Sequence, residues 1–137
     1  MNYWRIVLAG CCAFVAYMAT GGVMFAALPM MKTEAMKYPA VYRSHEGIMR
    51  AMPAGMVAML VSMMVLAVIW AKMYSAGAGW MQGLEYGALV GVFCVGSFVV
   101  HNWMNLNIGL KLTVQQAAAY FVEWVVVGVV IGLIYRP

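Results

Sequence analysis

The stretch VQQAAAYFVEWVVVGVVIGLIY, residues 114–135, decides how this chain folds. Its 22 residues carry a single charge, on Glu123, and at about 1.5 Å of rise per residue they suffice to cross a hydrocarbon core about 30 Å thick. Glu123 then falls near the bilayer midplane, where insertion scales put a charged side chain at roughly 3 kcal/mol. No other acidic residue lies so deep in an apolar run. It is therefore expected to face a partner helix or a wet cavity, and to be protonated or paired.

Three further uncharged runs lie upstream, at 6–31, 51–71 and 86–100, the last with a polar extension through 110. With 66% hydrophobic and 9% charged residues, the chain has too little polar surface to cover a globule in water. The expectation is an all-α polytopic membrane protein, a single domain over 1–137. Its four transmembrane helices, near 4–31, 51–74, 84–108 and 113–135, would form a compact antiparallel bundle with a polar loop at 32–50. The first run is longer than the 7–15-residue core of a signal peptide and reads as a helix.

The polar loop carries Lys32, Lys37, Arg43 and Arg50 with Glu34, Glu46 and His45, so an aqueous recognition surface is expected there. A net charge of +4 is too dilute for nucleic-acid binding. Lys111 joins the four loop cations on one side of the membrane, against Arg5, Lys72 and Arg136 on the other, which favours termini outside the cytoplasm. Thr113 to Gln116 spell an S/T-x-x-Q capping box that would start the last helix at Thr113 and bury Glu123 about 15 Å deep. Pro29 and Pro39 punctuate the loop, and Ser44 can cap a lead-in that places Pro53 in the first turns of the second helix.

Small residues supply packing signals. Gly83, Gly87 and Gly91 recur every four residues, and Gly128 and Gly132 repeat that spacing on the last helix. Each stripe lets a backbone approach closely, either within the chain or from a partner. Met52, Met56, Met59 and Met63 continue a 3-4-3-4 seam from Met49. Thioethers suit Cu(I), and the seam superficially resembles the pore of trimeric copper transporters, which have three spans; methionine also fills packing gaps with no metal. Cys11, Cys12 and Cys94 form no metal or redox motif and read as packing residues.

His101, Asn102 and Asn105 follow the apolar part of the third helix, with His101 and Asn105 on one face. A turn near 109–112 would bring His101 within about one helical turn of Glu123 in depth, allowing a relay, a cation site or a polar lock between helices. The chain has no aspartate and no serine in a nucleophile-elbow context, so an enzyme is not expected. No cofactor is required by the sequence; haem on His101 with His45, or copper on the methionines, are the options it leaves.

The last fifty or so residues add a resemblance. Trp103 and Asn105 end the third helix, Val122, Glu123 and Trp124 form a V-E-aromatic step, and the chain closes on G-x-x-x-G-x-x-Y-R-P, with Gly128, Gly132, Tyr135, Arg136 and Pro137. This half resembles small four-span bacterial membrane proteins related to the DUF1761 group. The resemblance implies a helical fold and a bacterial inner membrane and brings no activity. Two functions are expected. One is a non-catalytic accessory or assembly subunit, held in the bilayer against other membrane subunits of a respiratory or photosynthetic complex or against copies of itself. The other is a small transporter or channel for protons, a cation or copper.

Overall fold

The computed structural model describes residues 1–27 and 29–136. It is all-helical, with no strand among the described residues. The helices are α1 (Tyr3–Ala27), the short α2 (Pro29–Ala35), α3 (His45–Met73), α4 (Trp80–Asn105) and α5 (Leu110–Ile134). Within α4 the α-helical Trp80–Cys94 passes through a π-helical stretch, Val95–Val100, into a last α-helical turn, His101–Asn105. Four of these helices are long and apolar enough to cross a membrane, and the chain is an integral membrane protein.

Short connections make successive spans antiparallel. The tightest seam joins α4 to α5, and it is built from the glycine stripes. Gly83, Gly87 and Gly91 are buried against Gly128, Trp124, Val125 and Phe121, while Gly132 lies on the backbone of Gly79 and Gly83. Without side chains between them the two backbones reach van der Waals contact, which supplies the attraction that water exclusion cannot supply in lipid. Both stripes are thus spent on each other and offer no groove to a partner.

On its other side α5 packs against α1, and α1 against α3. The α1–α3 contact again uses small residues: Ala9, Gly10 and Ala13 are buried opposite Met63, Met64 and Ala67. α3 and α4 stand farther apart. They are bridged toward the terminal end by the Tyr86 hydroxyl, which donates to the Leu66 carbonyl at 2.9 Å, and by Trp70 and Tyr86 rings 5.3 Å apart. Tyr74 and Tyr135, with centroids 5.6 Å apart, extend this aromatic cluster. Between α3 and α4 runs an apolar groove of about 670 Å³, walled by Val61, Leu66, Leu89 and Phe93.

Several helix ends differ from expectation. The expected first helix, 4–31, ends as α1 at Ala27 and restarts as α2 at Pro29, a residue that begins a helix more readily than it continues one; Leu28 lies outside the described residues. α3 starts at His45, six residues before 51, because the Ser44 hydroxyl accepts the Gly47 N–H at 3.2 Å. Pro53 is therefore inside α3, where it has no N–H to return to the Met49 carbonyl. α4 begins at Trp80, where the Gln82 side chain accepts the Gly79 N–H at 3.0 Å, and it ends at Asn105 instead of 108. α5 begins at Leu110, not Thr113. The capping box does not form: the Thr113 hydroxyl donates back to the Gly109 carbonyl at 3.2 Å, and the Gln116 amide donates to the Tyr42 hydroxyl at 3.0 Å.

Candidate functional site

Glu123 is buried at 8% exposure, on the face of α5 turned toward α1. Tyr17 of α1 lines one cavity with its carboxylate, and Gly21, one turn along α1, leaves room for it. A Cβ at Gly21 would come within 3.1 Å of Oε1, so a larger residue there would displace the carboxylate. The Trp124 ring packs on that of Tyr17, with centroids 5.4 Å apart, and its own indole N–H is buried with no acceptor among the described residues.

The carboxylate opens into a cavity of about 270 Å³ lined by Tyr17, Met18, Gly21, Met31, Tyr120 and Glu123. No Lys, Arg or His among the described residues lines it. A second cavity, of about 320 Å³, shares Tyr17 and Met18 and continues along α3 past Met52, Met56 and Met59. The second lies just inside, and the first just below, the range of about 300–1,000 Å³ occupied by small-ligand sites. Beside apolar residues, their combined lining holds one carboxyl, two phenols, thioether sulfurs and, in the second cavity, Arg43.

Other residues expected at an intramembrane polar site do not reach it. Gly91 faces Phe121 and Gly87 faces Trp124 and Val125, a register that sets Glu123 level with residue 89 of α4. His101 therefore lies about twelve residues farther along, or roughly 18 Å by the helical rise. It is exposed, as is Asn105, whose amide donates to the His101 carbonyl at 2.8 Å; Asn102 is half-buried. The expected His101–Glu123 pair is not made. The early start of α5 moves Glu123 deeper than the Thr113 cap implied. The π turn, at more residues per turn than an α-helix, also changes the face on which His101 emerges.

The methionine seam divides. Met63 is fully buried in the α1–α3 contact, Met52, Met56 and Met59 line the second cavity, and Met49 is exposed. Among the described residues no group of three His, Cys, Asp or Glu side chains comes together as a metal site. Cys11 is exposed and Cys12 and Cys94 are half-buried, all as free thiols.

A second polar cluster, missed in the sequence, closes the loop end. Glu34 of α2 accepts Lys37 at 2.9 Å and Lys111 of α5 at 2.8 Å. The hydrogen bonds from Lys111 and Lys37 hold its carboxyl below the usual range. The Tyr38 hydroxyl accepts the Gly109 N–H at 2.9 Å, a second tie between the loop and the start of α5. Tyr17, Gly21 and Tyr120 were also missed. A weak signal existed, since Tyr17 and Tyr120 are phenols in the interior of apolar runs, and Tyr17 and Gly21 share a face at i, i+4. No protein-family model matches this chain, and no curated protein or solved structure matches it either.

Proposed function

We propose that the chain is a non-catalytic membrane protein that binds an apolar or soft monovalent cation at Glu123 and carries it across the bilayer. The observation that carries this reading is a buried carboxyl, opening into an aromatic- and methionine-lined cavity to which the chain contributes no basic side chain beside it. A cation there gains the carboxylate's charge in a low-dielectric surrounding, and it meets the aromatic side chains of Tyr17 and Tyr120 that line the cavity. Thioethers add polarizable contacts. His101, Asn102 and Asn105 are no part of this site. The resemblance of the C-terminal half favours a bacterial cytoplasmic membrane as its location.

The test is binding and vesicle uptake of quaternary ammonium and phosphonium ions by purified protein. Glu123→Gln is expected to weaken binding at least about tenfold and abolish uptake, and Tyr17→Phe to weaken binding about threefold. Equal affinity in wild type and Glu123→Gln would refute the reading.

A second reading, an accessory subunit or homo-oligomer, is favoured by α3. This helix packs chiefly on α1 and leaves Met49, Met52, Val57, Val61 and Val65 exposed. With both glycine stripes used internally, those α3 side chains are one apolar surface, among others, open to a partner. Native mass spectrometry after gentle extraction tests it: a lone monomer would remove this reading.

A further inference from the structure

The loop end carries five basic residues, and three of them are committed. Lys37 and Lys111 bind Glu34, and Arg50 binds Glu46 at 2.6 Å. Lys32 and Arg43 have no ion-pair partner among the described residues, and both line one cavity of about 580 Å³. No carboxylate among the described residues lines it. Its other walls are of two kinds. Phe25, Met31, Ile48 and Leu112 are apolar, whereas Tyr42 and Ser44 are hydroxyl-bearing residues of the same lining as the two cations.

Those hydroxyls already accept hydrogen bonds, Tyr42 from the Gln116 amide at 3.0 Å and Ser44 from the Gly47 N–H at 3.2 Å. Each therefore keeps its own proton to donate. Two cations and two hydroxyl donors at the level where the spans leave the bilayer are complementary to a phosphate diester. The cavity shares Phe25 and Met31 with the Glu123 cavity, and Arg43 and Ile48 with the methionine-lined one, so its apolar lining continues into the helix bundle. A soluble anion would use the cations and leave that apolar lining uncovered, whereas an amphiphile uses both.

We infer that this cavity seats one anionic phospholipid, with its phosphate between Lys32 and Arg43 and an acyl chain along Phe25, Met31, Ile48 and Leu112. The two cavities share Phe25 and Met31, but Glu123 does not line this one and Lys32 and Arg43 do not line the Glu123 cavity, so the inference does not depend on cation transport. Basic pockets near membrane surfaces hold anionic head groups through this chemistry, each cation contributing about fivefold in preference.

Native mass spectrometry of the full chain from micelles holding equal phosphatidylglycerol and phosphatidylcholine tests the inference. One retained phosphatidylglycerol per chain is expected, with a preference over phosphatidylcholine that falls roughly thirtyfold in the double variant Lys32→Gln/Arg43→Gln. Arg50→Gln, which removes a loop charge outside the cavity, should leave the preference intact. Ile48→Trp, which fills the apolar part and keeps both cations, should lose the adduct while circular dichroism reports unchanged helix content. Equal retention of the two lipids by wild type, an unchanged preference in the double variant, or displacement of the lipid by millimolar inorganic phosphate would each overturn it.

Discussion

Gly128→Ala tests the α4–α5 seam with the smallest possible change. A Cβ built on Gly128 would lie 2.5 Å from both the Cα and the N of Gly87, against an ordinary contact of 3.4–4 Å. The obstructing atoms are backbone and cannot swing aside, so α4 and α5 must separate by about 1 Å, enough to forfeit a quarter to a half of each dispersion contact nearby. Overpacking of this kind costs about 1–3 kcal/mol, and a rigid neighbour places it in the upper part of that range. Alanine returns up to about 1 kcal/mol of helix propensity, leaving a net loss of about 1–2 kcal/mol. Gly22→Ala is the matched control, because a Cβ there meets nothing within 4 Å and only the propensity gain applies. The two identical substitutions should therefore differ by about 2–3 kcal/mol in reversible unfolding by dodecyl sulfate in mixed micelles, followed by tryptophan fluorescence. If Gly128→Ala proves as stable as wild type, or the two variants agree within about 0.5 kcal/mol, the glycine seam is not the close backbone contact described.

Three further outcomes are expected. Glu34 has its carboxyl held low by Lys111 and Lys37, so the tie between α2 and α5 is fully present above the unfolded carboxylate range near 4.5 and is lost as pH falls through the lowered folded value; hydrogen exchange at the Gly109 amide should accelerate only in that acidic window, and Glu34→Gln should remove the pH dependence. Ser44→Ala removes the cap of α3 and should destabilise its first turn by about 1 kcal/mol, read as faster exchange at Gly47, while Glu123-dependent binding stays unchanged. Tyr86→Phe loses the 2.9 Å bond to Leu66 and should lower stability by about 1 kcal/mol, because the α3–α4 bridge has few other contacts.

The three cavities meeting at α1 tie the two proposed sites together spatially. Tyr17 and Met18 border both the Glu123 and the methionine-lined cavities, and Arg43 borders the methionine-lined and the loop-end ones. If both proposals hold, an occupant at the loop end would border the cavities that lead to Glu123.

By itself the sequence determined the four spans, because apolar run length against bilayer thickness is a local property that needs no knowledge of neighbours. It also determined that Glu123 is buried, since its position within such a run fixes its depth, and that the glycine stripes are packing surfaces. Which stripe meets which surface was decided only in three dimensions: the stripes could have faced a partner, and they face each other. The neighbours of Glu123 were likewise hidden. Pairing it with His101 required knowing how the π turn at 95–100 rotates α4 and where α5 begins, and the start of α5 is tied to the loop by long-range contacts, Tyr38 with Gly109 and Gln116 with Tyr42. Tyr17 lies more than a hundred residues away in the chain, and its approach is set by the α1–α5 register. That register comes from shape complementarity between whole helix faces, a property that no single stretch of residues contains.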